Sequence, residues 1–189
     1  MLPAWCAASR SLTRNPRRGR CPALIHMKFL AALRRGGVSL RPNRSRRLKM
    51  NNESCVYCHP TDEIVLWQNP LCRAIFIADS PFPGWCRVVW HEHIAELSDL
   101  RDDQRNSIMA VVAQVEAQLR QLLTPAKINI ASLGTALPHL HWHIIPRYLD
   151  DSHFPEPVWS AALRAPTTKT LPENFIELMQ ERLAITLGA

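Results

Sequence analysis

The first 52 residues contain no aspartate or glutamate; Glu53 is the first acid of the 189-residue chain. Thirteen of the 23 Lys and Arg crowd into that stretch, which leaves 10 basic against 16 acidic residues, a net charge of −6, for the rest. The overall +7 is therefore the charge of a basic leader on an acidic body. That distribution argues against a nucleic-acid site on the body and leaves only the leader as a candidate for one. The segments SRSLTRNPRRGRCPAL and LRRGGVSLRPNRSRRLKM are Arg-rich and broken by Gly and Pro, so residues 1–50 are expected to form a disordered or weakly helical extension. Three origins compete: a start set too early, with translation beginning at Met50; a mitochondrial-type transit segment; or a nucleic-acid-binding arm. The abrupt polar lead MNNESCVYC favours the first.

Other absences narrow the class further. No run of 18 apolar residues occurs, so no membrane span is expected. The apolar piece CPALIHMKFLAAL is too short and too far from the start for a secretory signal. Six cysteines do not make a disulfide framework: Cys6 and Cys21 lie in the leader, Cys55 and Cys58 form a CxxC pair, and Cys72 and Cys86 fall within strand-like runs. A reducing compartment fits, and the cytoplasm is expected, or the mitochondrion if the leader is a transit segment. There is no internal repeat.

What is present from Glu63 onward reads as an α+β domain. EIVLWQN and LCRAIFIA form a hairpin around Asn-Pro, DSPFPG is a rigid loop, and WCRVVWHEH is a third strand. Leu100, Ile108, Val111, Val112, Val115, Leu119 and Leu122 mark a helical stripe that Thr124 and Pro125 stop. KINIASLG supplies a fourth strand. HFPEPVWSAALRAPTTKT is a Pro-rich connection carrying Trp159, and PENFIELMQERLAITL is a short helix opened by Pro172.

Between these lies PHLHWHIIPR, with His139, His141 and His143 at alternate positions. On a strand, residues two apart share a face, so the three imidazoles stand together while Leu140, Trp142 and Ile144 face the core. Pro146 suits the strand's end. Neutral imidazole can act as a nucleophile, a proton carrier or a metal ligand, and spacing does not choose among these; a chance surface cluster is the bland alternative. A single ion held by all three is disfavoured, because Cα atoms two apart on a strand sit roughly 7 Å from one another.

The run His139-Leu-His141-Trp-His143-Ile-Ile resembles the signature of the histidine triad (HIT) family of nucleotide hydrolases and transferases. CVYC, VVWHEHIAEL, NIASLG and, as in a proteobacterial branch, HFPEPVW are similar to family segments in the same order. The resemblance covers about residues 53–160 and implies a HIT catalytic domain over 51–160, followed by a tail and helix over 161–189. The implied fold is an antiparallel sheet of about five strands with one long helix and a C-terminal helix. It further implies that His141 attacks the α-phosphorus of a nucleotide ester, anhydride or phosphoramidate, forming a nucleotidyl-histidine that water hydrolyses. His143 would then stabilise phosphate charge and protonate the leaving group. Asn129, Gly134 and Thr135 would contact phosphate or orient the triad, and Asp79 would bind ribose hydroxyls. Dinucleoside polyphosphates such as diadenosine tetraphosphate, or nucleoside phosphoramidates, are the implied substrates, and a homodimer the implied assembly.

The chain departs from the family pattern at Thr135–Ala136, where a Gln and a hydroxyl residue are usual, in a shorter Asn129-to-Gly134 spacing, and at Trp85, where a histidine is common. These departures admit a second reading, a nucleotide sensor without turnover. Cys55 and Cys58 alone give two of the four ligands that a tetrahedral structural site needs, and buried thiols or a redox pair are the alternatives. In zinc-containing relatives the other two ligands correspond to His93 and His139, which makes structural zinc the expected cofactor and His139 a structural residue. His59 and His91 read as solvent-facing.

Overall fold

The structure, a computed structural model, describes residues 54–166 and 169–188. The basic extension, with the expectation of disorder and its three possible origins, lies outside the described residues.

Five strands form one sheet: β1 (Ile64–Gln68), β2 (Cys72–Phe76), β3 (Cys86–Trp90), β4 (Lys127–Ala131) and β5 (His141–Arg147). They are ordered β1-β2-β3-β5-β4, and every neighbouring pair is antiparallel. The α+β class and the five strands read from the sequence are those observed. Asn69 makes the first hairpin, its Oδ1 accepting from the Leu71 and Cys72 amides at 2.9 and 2.8 Å, an Asx turn that competes well with any extended alternative. The β2–β3 loop closes on Gly84, whose φ of +85° suits glycine. A Cβ there would stand 2.5 Å from Leu123 Cδ1 and 3.1 Å from Pro146 Cγ, so this turn packs directly on the end of the long helix.

That helix, α1 (Asp102–Leu123), ends where Thr124 turns left-handed at φ 43° and donates its N–H to the Arg120 carbonyl. Ile108, Val111, Val112, Val115, Leu119 and Leu123 are its buried apolar positions, while Leu122, expected in the stripe, is only half-buried. The second helix, α2 (Phe175–Leu187), starts three residues later than Pro172 suggests, and buries Phe175, Met179 and Leu183 at i, i+4, i+8. It is tied to β1 by Trp67 Nε1–H to the Gly188 carbonyl at 2.7 Å and by Gln180 to the Val65 carbonyl at 2.9 Å. The second of these bonds is made where a bulge interrupts the β1 ladder.

Both helices pack with one face of the sheet, around Cys72, Ala74, Cys86, Val88, Trp90, Leu140 and Ile144. Strand alternation sends Arg73, Ile75, Arg87, Val89, His141 and His143 to the other face. The CVYC segment covers part of that face, with Cys55 and Tyr57 packed on Ile75 and Val89. Pro146 pairs with Ile128 inside β5 rather than ending it. It is tolerated because β3 pairs with β5 only as far as Ile144.

Candidate active site and metal centre

The expected row of three equivalent imidazoles is not what forms. β5 begins at His141, and His139 lies two residues before it, in a turn whose N–H donates to the Leu137 carbonyl at 2.8 Å. Leu140 is fixed from both sides, donating to the Ile94 carbonyl and accepting from the Trp90 amide. This places His139 among the cysteines, while His141 and His143 remain a pair. All three rings are buried rather than solvent-facing.

Their hydrogen bonds define each tautomer, since a carbonyl only accepts. His139 Nε2 lies 2.6 Å from the Trp90 carbonyl and carries a proton, which leaves Nδ1 with its lone pair. His141 Nδ1 lies 2.6 Å from the His139 carbonyl, so its Nε2 is the bare nitrogen. His143 Nδ1 receives the Trp85 indole N–H at 3.2 Å and the Arg87 Nε–H at 3.3 Å. The proton of neutral His143 is therefore on Nε2, which faces His141 Nε2 at 3.1 Å. Burial, helped by His141 and Arg87, pushes His143 down to about 3, and burial with Arg87 also lowers His141. The pair is neutral at pH 7, with a lone pair on one ring facing an N–H on the other.

Two residues that the sequence reading passed over complete this chain. Tyr57, within the CxxC, packs its ring 4.9 Å from His141 and 5.5 Å from His139. Its hydroxyl accepts from Arg87 Nη1 at 2.9 Å. Arg87 is legible in hindsight as the one charged residue within the apolar run WCRVVW, directly opposite His143 across the ladder. Trp85, noted as a replacement of the family's histidine, supplies an indole N–H to the triad.

The remaining expected residues divide. Asn129 is near the end of the triad strand, but its Oδ1 accepts from Arg147 Nη1 at 2.6 Å. Arg147 is buried and holds Asp151 through Nε and Nη2 at 2.7 and 3.0 Å, and the Glu156 carbonyl at 2.8 Å. Gly134 is half-buried, and a Cβ on it would approach the Leu137 carbonyl at 3.1 Å. Thr135 and Ala136 are exposed, and Asp79 is exposed in the β2–β3 loop. Ser132, not anticipated, donates to the His141 carbonyl at 2.9 Å.

Cys55, Cys58, His93 and His139 come together, with their ligand atoms all within 4.8 Å of one another. The Cys55 Sγ to His139 Nδ1, Cys58 Sγ to His93 Nδ1 and Cys58 Sγ to His139 Nδ1 distances are 3.3, 3.2 and 3.5 Å. A tetrahedral zinc with ordinary Zn–S and Zn–N bonds has S···N edges of about 3.5 Å, which these three pairs match to a few tenths of an ångström, while the other pairs, all within 4.8 Å, would close by up to about an ångström around an ion. The Trp90 carbonyl that orients His139 is the kind of outer partner such a ligand uses. Without a cation, burial and then the adjacent Cys55 hold the Cys58 thiol up at about 11. Arg73 braces this knuckle, donating to the Tyr57 carbonyl at 2.9 Å while paired with Glu63 at 2.5 and 2.8 Å. His59 is exposed as expected, but His91 is half-buried and bonded to the Asn69 carbonyl at 2.9 Å.

A five-stranded antiparallel sheet that bears a neutral His–His pair, with a Cys2His2 cluster at its end, defines an α+β protein of the histidine triad type. Residues 60–150 match the family model of the HIT domain, so this part of the chain is a HIT domain. Among solved structures, a histidine triad protein from Bradyrhizobium japonicum is 29% identical, with a TM-score of 0.53 over 64% of this chain and 90% of that one. A zinc-bound histidine triad family protein from Mycobacterium smegmatis shares the fold at 23% identity, with a TM-score of 0.51 over 71% of this chain and 96% of that one. Among curated proteins, an AP-4-A phosphorylase of Mycobacterium tuberculosis is 31% identical over 78 residues, 38% of this chain and 40% of that protein. The match thus spans well under half of that relative. Among the described residues, no helix is long and apolar enough to cross a membrane.

Proposed function

We propose that the protein is a nucleotide hydrolase or transferase that works through a nucleotidyl-histidine on His141. The observation that carries this is the bare Nε2 of His141, fixed by the Nδ1–H bond to the His139 carbonyl and flanked at 3.1 Å by His143 Nε2. A nitrogen held neutral and oriented is ready for in-line attack on phosphorus. His141 Nε2 forms a bond to the α-phosphorus as the bond to the leaving oxygen or nitrogen breaks. His143 Nε2–H stabilises phosphoryl charge by hydrogen bonding, with Arg87 and Trp85 holding the ring, while a phosphate departs as its anion and an amine takes its proton from water. Water then cleaves the P–N bond, giving a nucleoside monophosphate and free His141. Gly134 and Thr135 border the phosphate, Asn129 is steadied by Arg147, and Asp79 reaches for ribose. Dinucleoside polyphosphates and nucleoside phosphoramidates are the substrates this chemistry suits.

Zinc is part of the proposal. Cys55, Cys58, His93 and His139 would hold it, and when bound it would cross-link the knuckle to the sheet and keep both cysteines as thiolates. His139 is then a ligand whose carbonyl orients the nucleophile. The homodimer remains the proposed assembly, with exposed Ile130 on edge strand β4 and Met109 on α1 as apolar surface for it.

Two observations favour the sensor reading: the exposed Ala136 offers no hydroxyl, and the Asn129 oxygen is committed to Arg147. Both readings meet one experiment. Release of AMP from diadenosine tetraphosphate and from an adenosine phosphoramidate is measured for the protein and its His141→Ala variant. Turnover lost in the variant is the expected result; nucleotide binding with no turnover in either would establish the sensor and overturn the hydrolase.

A further inference from the structure

The cysteine pair lies where the support of the triad meets open space. Cys55 is buried, but Cys58 is half-buried and lines a cavity of about 400 Å³ together with Thr61, Glu63, Arg73 and His91. None of the three triad histidines lines it. The other described cysteines differ: Cys72 and Cys86 are fully buried on the helix-covered face of the sheet, and burial pushes the Cys72 thiol up to about 12. Of the four, Cys58 is the one a solute meets first.

The pair is also placed to close. The Cys58 and His59 amides both donate to the Cys55 carbonyl, at 3.0 and 3.1 Å, in a turn whose end Cα atoms stand within about 7 Å. Disulfides take Cα separations of about 4.4–6.8 Å. The two sulfurs already lie within 4.8 Å of each other, so side-chain rotation with little backbone movement brings them together.

Closure cannot leave the triad undisturbed. A sulfur that turns toward the other gives up its histidine, His139 for Cys55 at 3.3 Å and His93 for Cys58 at 3.2 Å. His139 is the residue whose carbonyl holds the Nδ1–H of His141 at 2.6 Å. Tyr57, between the two cysteines, packs 4.9 Å from the His141 ring and accepts from Arg87, which donates to His143. The new bond would be felt at His141 and His143 along two separate routes.

We propose that Cys58, with Cys55 as its resolving partner, is a thiol–disulfide modification site for a small disulfide entering through this cavity, and that the oxidised pair disables the triad. Arg73 and Glu63 put both signs of charge on the cavity wall, so a zwitterionic disulfide such as that of glutathione suits it better than an apolar one. Cys58 Sγ, as a thiolate, bonds to one sulfur of the reagent while the other leaves as a thiolate. Cys55 Sγ then attacks the Cys58 sulfur and expels the second thiolate. Two electrons pass from the cysteines to the reagent, the departing thiolates take protons from water, and the four-residue metal site loses two of its donors. The modification stands apart from the hydrolase reading; only its effect on turnover rests on it.

The full chain, its metal content measured beforehand, is incubated with glutathione disulfide and mapped at intervals by proteolysis and mass spectrometry. A Cys55–Cys58 disulfide should accumulate while Cys72 and Cys86 stay reduced, with one zinc released per bond formed, read with a chromogenic chelator. Dithiothreitol with added zinc should reverse both. Cys55→Ser, which lacks the resolving thiol, should stop with glutathione on Cys58; the map of the parent decides the site even where this variant fails to fold. Turnover of diadenosine tetraphosphate should fall about tenfold or more on oxidation and recover on reduction, and in a parent without turnover the loss is read as weaker AMP binding. Oxidation confined to Cys6 or Cys21, or attack on Cys72 and Cys86 as fast as on Cys58, would overturn the site whatever the turnover. A Cys55–Cys58 bond formed in a parent that holds no metal would sustain it while removing the zinc centre. A bond that forms with turnover and AMP binding both intact would overturn the link to the triad.

Discussion

Replacing Arg147 by methionine isolates the strut behind the site. The guanidinium is 2% exposed and makes four hydrogen bonds, two to Asp151, one to Asn129 and one to the Glu156 carbonyl. Methionine preserves much of the stem's volume but leaves the Asp151 carboxylate buried without its cation. Breaking such a pair from one side typically costs about 3–5 kcal/mol. Asp151 keeps three backbone N–H bonds in the variant, so the lower end, about 3 kcal/mol, is expected. Against a domain stability of about 5–15 kcal/mol this is large but survivable. The pH dependence gives the sharper check. Burial acts to raise the Asp151 carboxyl, but Arg147 and the His153 and Tyr148 amides outweigh it and hold the group down at about 2 from a usual 3.8. A depressed folded-state value means stabilisation that is complete above the unfolded value and is lost as pH falls through the folded one. In Arg147→Met the carboxyl protonates more readily, so the gap between parent and variant should be full at pH 7 and shrink between about pH 5 and pH 2. Urea unfolding across that range, with unchanged m, measures it. A gap below about 1 kcal/mol at pH 7, or one indifferent to pH, would refute the claim that this ion pair organises the loop over residues 148–160.

Arg87→Met removes a donor from His143 Nδ1 and a positive charge from beside both imidazoles, so protonation becomes easier and the acid limb of kcat/KM should move to higher pH, read from a rate profile. Cys58→Ser, or a strong chelator, should lower metal content from one ion per chain and reduce thermal stability; elemental analysis showing no metal in the parent would remove the zinc centre. Gly84→Ala must accommodate a Cβ 2.5 Å from Leu123 at φ +85°, and a loss of about 2 kcal/mol or more is expected in denaturant unfolding, with little change in the catalytic pH profile.

Local chemistry made much of this molecule legible from the chain alone. The period-two alternation through residues 141–145 and 86–90 set strands and faces, because a side chain's face on a strand depends only on its own position. The stripe from Ile108 to Leu119 follows from helix periodicity and its stop from Pro125, which cannot continue a helix, whereas the left-handed turn at Thr124, unusual for a β-branched residue, was not legible. The ligand set Cys55, Cys58, His93 and His139 entered only through family resemblance, since one CxxC specifies two donors and nothing in the spacing selects the other two. Tertiary structure decided the rest. His139 left the strand because Leu140 is bonded to both Ile94 and Trp90, contacts far apart in sequence. The protonation of His139 and His143 was set by partners on one distant segment, residues 85–90: the Trp90 carbonyl, the Trp85 indole and Arg87. Asn129 was diverted to Arg147, and Trp159 was brought to His143, by a loop whose architecture rests on one buried carboxylate. A sequence states which groups are available and which way a strand presents them; the tautomer, the partner and the neighbour across the sheet exist only once distant segments are packed together.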